Sequence, residues 1–366
     1  MVLHIYNPSH DEALAVNRVP YCPSSAARRT GEMFWDVAKW WKAPDDVILH
    51  LPDDGSLRGV EVPDWSGVER IEPWGWDRHI VGVLRKLGAP EHLLPTDSQL
   101  DRIRALSSRH TTVKVLERLD SILQRVAEHD RPRPLSILQR VAEHNSPHAV
   151  ASALPILRAE SRWCTDEAAA LTAIEEFGGR AVLKLPWSCS GRGVWTTESA
   201  SSLQRIRKSL REQGAVEVEP WYEKVADFAM EFEADARGRV SYVGLSVFAT
   251  HDGGGYAGNV VAPQEVLRRD LESRAACPLP LEDVLRRDLE SRAACPLPLE
   301  AVADCLCEAL TDVLAGDYVG PLGVDMMLTP AGIHPCIEVN LRNTMGRVAI
   351  FQSQNTSERG NPAKEI

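Results

Sequence analysis

Along the first hundred residues, short apolar runs alternate with segments of helical spacing. VLHIY at 2–6 and VILHL at 47–51 are bounded by turn residues and predict strands, while Ser9 with Glu12 three positions on marks a helix start. Together they predict a small α/β lobe. From Thr96 to Leu119 the apolar positions fall at helical spacing behind polar caps, which predicts a connecting helical region and a lobe boundary near residue 105. After Arg180 the pattern changes to strand, glycine-rich turn and strand: RAVLKL, PWSCSGRGV, then a helix starting near Ser199. Further strands are predicted at AVEVEPWY (215–222), FAMEFEA (228–234) and VSYVGLSVFAT (240–250), followed by the glycine-rich HDGGGYAGN at 251–259. A helix around 300–315 and two strands, GVDMML and HPCIEVN, complete the pattern. The implied units are 1–105, 106–218 and 219–350, with 351–366 as a flexible tail.

Two exact tandem duplications interrupt this order. SILQRVAEH occurs at 121–129 and 136–144, and VLRRDLESRAACPLPLE at 266–282 and 284–300. Two copies do not build a solenoid, which needs three or more stacked units. Their charged, helix-like composition predicts redundant peripheral helices, where extra length costs little closure entropy.

Composition narrows the function classes. At 366 residues, with 44% hydrophobic and 25% charged positions, the chain is expected to be a multi-lobed globular protein. A formal net charge of −11 argues against non-specific binding to nucleic acid or anionic membrane. No apolar run approaches the roughly 20 residues that span a bilayer, and the start lacks a basic region followed by an apolar one, so a cytoplasmic protein is expected. The eight cysteines are scattered without zinc-type pairing and are expected to be reduced thiols.

The strongest chemical signal lies near the C-terminus, where Gly323-Val324-Asp325 and Ile337-Glu338-Val339-Asn340 occupy two predicted strands about a dozen residues apart. Side chains alternate along a strand, so Glu338 and Asn340 share a face, and Asp325 can meet them across the ladder. Such a set of hard oxygen donors suits magnesium, with a solvated sheet face carrying incidental acids as the bland alternative. Arg342 follows directly, well placed to hold a transferring phosphoryl group, although a surface salt bridge is the bland alternative.

A second signal is Lys184 at a strand end, followed by Ser188, Ser190, Gly191, Arg192 and Gly193. A Gly/Ser turn can wrap phosphates with backbone N–H groups while the lysine supplies charge, though taken alone an ordinary hairpin is the stronger reading. A third is Val218-Glu219-Pro220-Trp221-Tyr222, with Asp227 beyond it, which offers backbone groups and an apolar wall for a purine ring, and which alone reads also as a buried strand edge capped by aromatics.

In this order the three signals resemble the ATP-grasp superfamily, over roughly Thr96 to Arg347. The resemblance implies an α/β (α+β) chain with an ATP-grasp fold behind an N-terminal Rossmann-like lobe, using ATP and Mg2+. It implies that Lys184 and the Ser188–Gly193 loop contact the ATP phosphates, that Glu219, Trp221 and Tyr222 form the adenine hinge, and that Asp227 contacts the ribose. Asp325, Glu338 and Asn340 would hold magnesium, with Arg342 and Lys184 acting on the reacting phosphate. Where the family usually has a second phosphate-contacting lysine, this chain offers Arg109, or Lys114 as a substitute. The implied reaction activates a carboxylate as an acyl phosphate for attack by an amine or similar nucleophile. A small-molecule kinase and a catalytically silent nucleotide-binding module stay open.

Substrate groups are expected from Asn7-Pro8-Ser9-His10-Asp11 and from Tyr256, Gly258 and Asn259, beyond strand ends. For His10 and Asp11 a capped helix start is the stronger reading; His251 and Asp252 read as turn formers. Trp40, Trp41, Trp74 and Trp76 read as core and rim.

Overall fold

The computed structural model describes the chain except for residues 20, 53–56, 58, 130–152, 189–192, 252–254, 276–295 and 360–366. The second copy at 136–144, most of the second copy at 284–300, and the loop residues Ser190, Gly191 and Arg192 therefore lie outside the described residues, as does Asp252.

The first lobe is a parallel three-stranded sheet of order β2-β1-β3, from β1 (Val2–Ile5), β2 (Val47–Leu49) and β3 (Arg70–Pro73). Helices α1 (His10–Val16), α2 (Ser25–Phe34) and α3 (Arg78–Lys86) follow its strands. Leu3, Ile5, Ile71, Ile80 and Leu84 fill its core. Ser9 is the N-cap of α1, as its position predicts, but its side chain makes no cap bond. Glu12 accepts from the Ser24 amide and hydroxyl and from Tyr21, pinning the entry to α2.

Helix α4 (Asp97–Leu106) opens on a capping box between Thr96 and Gln99 and leads into α5 (His110–His129). A small antiparallel sheet of order β4-β7-β5-β6 comes next, from β4 (Arg162–Cys164), β5 (Ala181–Lys184), β6 (Val194–Thr196) and β7 (Val216–Pro220). Helices α6 (Glu167–Glu176) and α7 (Ser202–Gln213) accompany it. Strand β7 runs across the expected unit boundary at 218–219, so Glu219 belongs to this small sheet.

The largest layer is a five-stranded antiparallel sheet of order β10-β9-β8-β11-β12, from β8 (Ala226–Ala234), β9 (Val240–Thr250), β10 (Tyr256–Asn259), β11 (Gly320–Thr329) and β12 (Gly332–Asn340). Alternation on β8 sends Phe228, Met230 and Phe232 into a core shared with α5, α8 (Gln264–Ala275) and α9 (Leu299–Leu314). It leaves the other face polar.

Two expectations are corrected. The described parts of the repeats are not peripheral: Ile122 and Leu123 of the first, Leu267 and Leu271 of the second, and Leu297 and Leu299 at the end of its second copy are all buried in this core. Nor is 351–359 a tail. It continues helix α10 (Met345–Arg359), where Val348, Ala349 and Ile350 are buried and the Asn355 amide donates to the Trp40 carbonyl at 2.7 Å. Trp74 is buried in the same seam, edge-on to Tyr6. Among the described residues no helix is long and apolar enough to cross a membrane.

Candidate active site

The polar face of the large sheet carries two cross-strand rows. In one, Ser246, Ala229, Asp325 and Glu338 stand side by side on β9, β8, β11 and β12; in the other, Gly244, Glu231, Gly323 and Asn340 do. Asp325 and Glu338 are directly opposed, as the alternation predicts. Like charges so placed repel unless a cation intervenes. Burial, together with the charge of Glu338, pushes Asp325 up to about 7.

The Asn340 amide donates to Asp325 Oδ2 at 3.1 Å, and Arg342 Nη2 donates to Asn340 Oδ1 at 2.9 Å. Arg342 also reaches the first lobe: Nε and Nη2 donate to Asp11 at 3.1 and 2.9 Å. Burial works to raise the Asp11 pKa, yet the Arg342 guanidinium holds it below the ordinary value. Asp11, a weak candidate from the sequence, is thus the partner that orients Arg342. The capped-helix reading underestimated it because the contact joins residues 331 positions apart.

On the other side of β12, Lys184 ends β5 and is almost wholly buried. Its Nζ lies 2.7 Å from Glu219 Oε1 and 3.9 Å from Glu217 Oε2, and donates to the Ile337 carbonyl at 3.0 Å. The small sheet is thereby fastened to the residue preceding Glu338. Arg109, at the start of α5, sets Nη2 3.0 Å from Glu338 Oε1 and donates to Ser188 Oγ at 3.3 Å. Arg109 thus brings Ser188 and Glu338 together, and Lys184 meets the residue before Glu338. Lys114 carries no described contact to this cluster.

The remaining candidates spread out. Trp221 is more than a third exposed with the Arg180 guanidinium over its ring, whereas Tyr222 packs edge-on to the buried His334. Asp227 is engaged by Lys224 and by the Thr250 hydroxyl, both at 2.7 Å. Gly193 folds tightly under Ser188, since a Cβ there would fall 2.3 Å from the serine Cβ. His251 closes a backbone turn with Gly255, as read.

Sequence reasoning missed Glu217, His334 and Glu231. Burial pushes Glu217 up to about 7 and holds His334 down at about 3. Glu217 was in principle visible, lying two residues before Glu219 and so on the same strand face. His334 and Glu231 gave no such signal, because only packing shows them to be buried.

A cavity of about 520 Å3 lies between the first lobe and the polar sheet face, with Asp11, Asp325, Glu338, Asn340 and Arg342 in its wall. Tyr256 and Asn259, both expected to meet substrate, line it too. Among the described residues no three His, Cys, Asp or Glu side chains form a ready-made metal cage. Two opposed carboxylates beside an amide oxygen nevertheless fit magnesium, which takes one or two carboxylates and completes its shell with phosphate and water.

No family model matches the sequence, and neither does any curated protein. Solved structures similar to this chain include biotin carboxylase from Campylobacter jejuni, 13% identical with a TM-score of 0.46 over 95% of this chain and 66% of that one. N5-carboxyaminoimidazole ribonucleotide synthetase from Thermus thermophilus is 14% identical, TM-score 0.43, covering 94% and 72%. D-cycloserine synthetase DcsG is 11% identical, TM-score 0.44, covering 99% and 100%. The chain's own architecture is a parallel α/β lobe, then a small and a large antiparallel sheet joined by the hydrogen bond from Lys184 Nζ to the Ile337 carbonyl.

Proposed function

We propose that this chain is an ATP-dependent ligase that activates a carboxylate as an acyl phosphate and transfers the acyl group to an amine or similar nucleophile. One observation carries the reading. The opposed pair Asp325 and Glu338 forms a cavity wall on one side and, through Glu338 and Ile337, meets the cations Arg109 and Lys184 on the other.

ATP lies between the two antiparallel sheets in this reading, with its triphosphate along Lys184, Arg109 and the Ser188–Gly193 turn and its adenine near Glu219 to Tyr222. Lys184 and Arg109 now spend their charge on Glu219, Glu217 and Glu338; phosphate oxygens compete for the same donors. Asp325, Glu338 and Asn340 would hold magnesium, which supplies charge neutralisation at the phosphates.

Arg342 faces the cavity with its plane set by Asp11 and Asn340, a preorganised cation for the phosphoryl group in flight. The substrate carboxylate oxygen attacks the γ-phosphorus as the bond to ADP breaks. The nucleophile then adds to the acyl carbon, inorganic phosphate leaves, and the nucleophile's proton is lost to solvent or phosphate. Enclosure between the first lobe and the sheet keeps water from the acyl phosphate.

The test is ADP release with magnesium-ATP and pooled amino acids and small carboxylates, with product analysis, beside Glu338→Ala. Substrate-stimulated ADP, phosphate and a new amide, all lost in the variant, support the ligase. A stable phosphorylated product would replace it with a kinase, and equal background in both proteins with a silent nucleotide-binding module.

A further inference from the structure

The far end of the cavity, away from Lys184, holds polar groups that the proposed chemistry does not use. Glu231 is 1% exposed, Ser246 1% and Asn259 2%, and all three line the cavity. Ser246 Oγ and Asn259 Nδ2 have no hydrogen-bond partner among the described residues, and the Glu231 carboxylate has no partner but the Thr344 hydroxyl beside it. Asn259 is held in place from its other end, where Oδ1 accepts from the Tyr256 hydroxyl. Buried polar atoms are nearly always paired, so two orphans beside an under-partnered carboxylate on one cavity wall mark a place built for a ligand.

The backbone around them makes room for this arrangement. A Cβ on Gly346 would fall 2.2 Å from Glu231 Oε1 and 2.3 Å from Ser246 Oγ, so both oxygens converge on a notch that only glycine leaves open. A Cβ on Gly323 would fall 2.9 Å from Glu231 Oε2. The carboxylate folds over one glycine and against the other.

The Thr344 hydroxyl donates to Glu231, and the charges that act on it are Asp325, Arg347 and Arg342. Arg342 is committed to Asp11 and Asn340, and Arg347 lies 2.7 Å from Glu233. A cationic ligand is what this carboxylate lacks. We propose that Glu231, Ser246 and Asn259 form an ammonium subsite, and that the carboxylate substrate is a short zwitterionic amino acid. Its ammonium docks between Glu231 and Ser246, an adjacent acceptor atom takes the Asn259 amide, and its carboxylate faces Arg342 and Asn340. Glu231 and Asn340 flank Gly323 in one row, about 10 Å apart by their backbones, which leaves space for a small molecule between the two side chains. The choice of which end is activated rests on the proposed ligase reading; the ammonium site rests on the cavity wall alone.

The experiment is calorimetric binding of alanine, serine, β-alanine and γ-aminobutyrate, each beside its deaminated acid, with and without magnesium-ADP. At least one amino acid is expected to bind tenfold or more tightly than its partner. Glu231→Gln should remove that preference while leaving affinity for the deaminated acid in place, and Ser246→Ala, a milder change, should weaken it several-fold. Thermal melts establish that each variant is folded; if Glu231→Gln is not, Ser246→Ala and Asn259→Ala decide. The subsite is overturned if no amino acid outbinds its partner, or if folded variants keep the preference. Amine preference that depends on Glu231, without ADP release by the wild-type chain, leaves the subsite standing and sinks the ligase. ADP release without amine preference does the reverse.

Discussion

Asp325 and Glu338 face one another across β11 and β12, two carboxylates in directly paired positions of one ladder. Their repulsion is a standing cost in the ligand-free chain, and it is also what makes the pair receptive to a divalent cation. Asp325→Asn removes one charge and keeps the amide bond from Asn340. Near pH 8 it should stabilise the ligand-free protein by roughly 0.2–1 kcal/mol, the scale of a cross-strand pair, while abolishing substrate-stimulated ADP release. Destabilisation in a thermal melt, or retained turnover, would remove the pair from the metal role.

Arg342 sets two donors, Nε and Nη2, on the Asp11 carboxylate, and a lysine cannot reproduce that fork. Arg342→Lys should therefore lower kcat by roughly 10²–10³, the cost of losing one transition-state donor. A double-mutant cycle of Arg342→Ala and Asp11→Asn, read by denaturant unfolding, should give a coupling of about 0.5–3 kcal/mol. Additive effects would mean that Asp11 does not position the guanidinium.

Glu217 supplies a pH signature. Burial, opposed by Lys184 and reinforced by Glu219, pushes it from the ordinary 4.5 up to about 7. The folded chain binds this proton more tightly than the unfolded chain. Its stabilising contribution is complete below about 4.5 and is lost as pH rises toward 7. Glu217→Gln should flatten that decline in a series of melting midpoints. An unchanged slope would assign the proton elsewhere.

Gly332 sits at φ +132°, and a Cβ there would fall 2.2 Å from the Pro155 carbonyl oxygen. That oxygen accepts from the Ile333 amide at 2.7 Å, tying the segment before the small sheet to the start of β12. Gly332→Ala should cost about 1–3 kcal/mol, the scale of forced backbone strain. A neutral melt would mean that the two segments can part freely.

The sequence by itself determined the order of elements and which side chains of the C-terminal strands share a face. Strand alternation is local, so it was enough to set Asp325, Glu338 and Asn340 on one face and to place Lys184 at a strand end. Local rules also misjudged what they could not see. The repeats were read as peripheral because charge and periodicity do not say which apolar stripe meets a core, and Leu267 and Leu271 do. The stretch from 351 was read as a tail, although Asn355 anchors it to Trp40. Only the tertiary structure decided that Asp11 orients Arg342, that Glu217 and Glu219 share Lys184, and that Glu231 is buried against a cavity. Each depends on contacts between segments distant in the chain, and burial, which sets both the charge state and the need for a partner, is a property of packing that no short stretch of sequence contains.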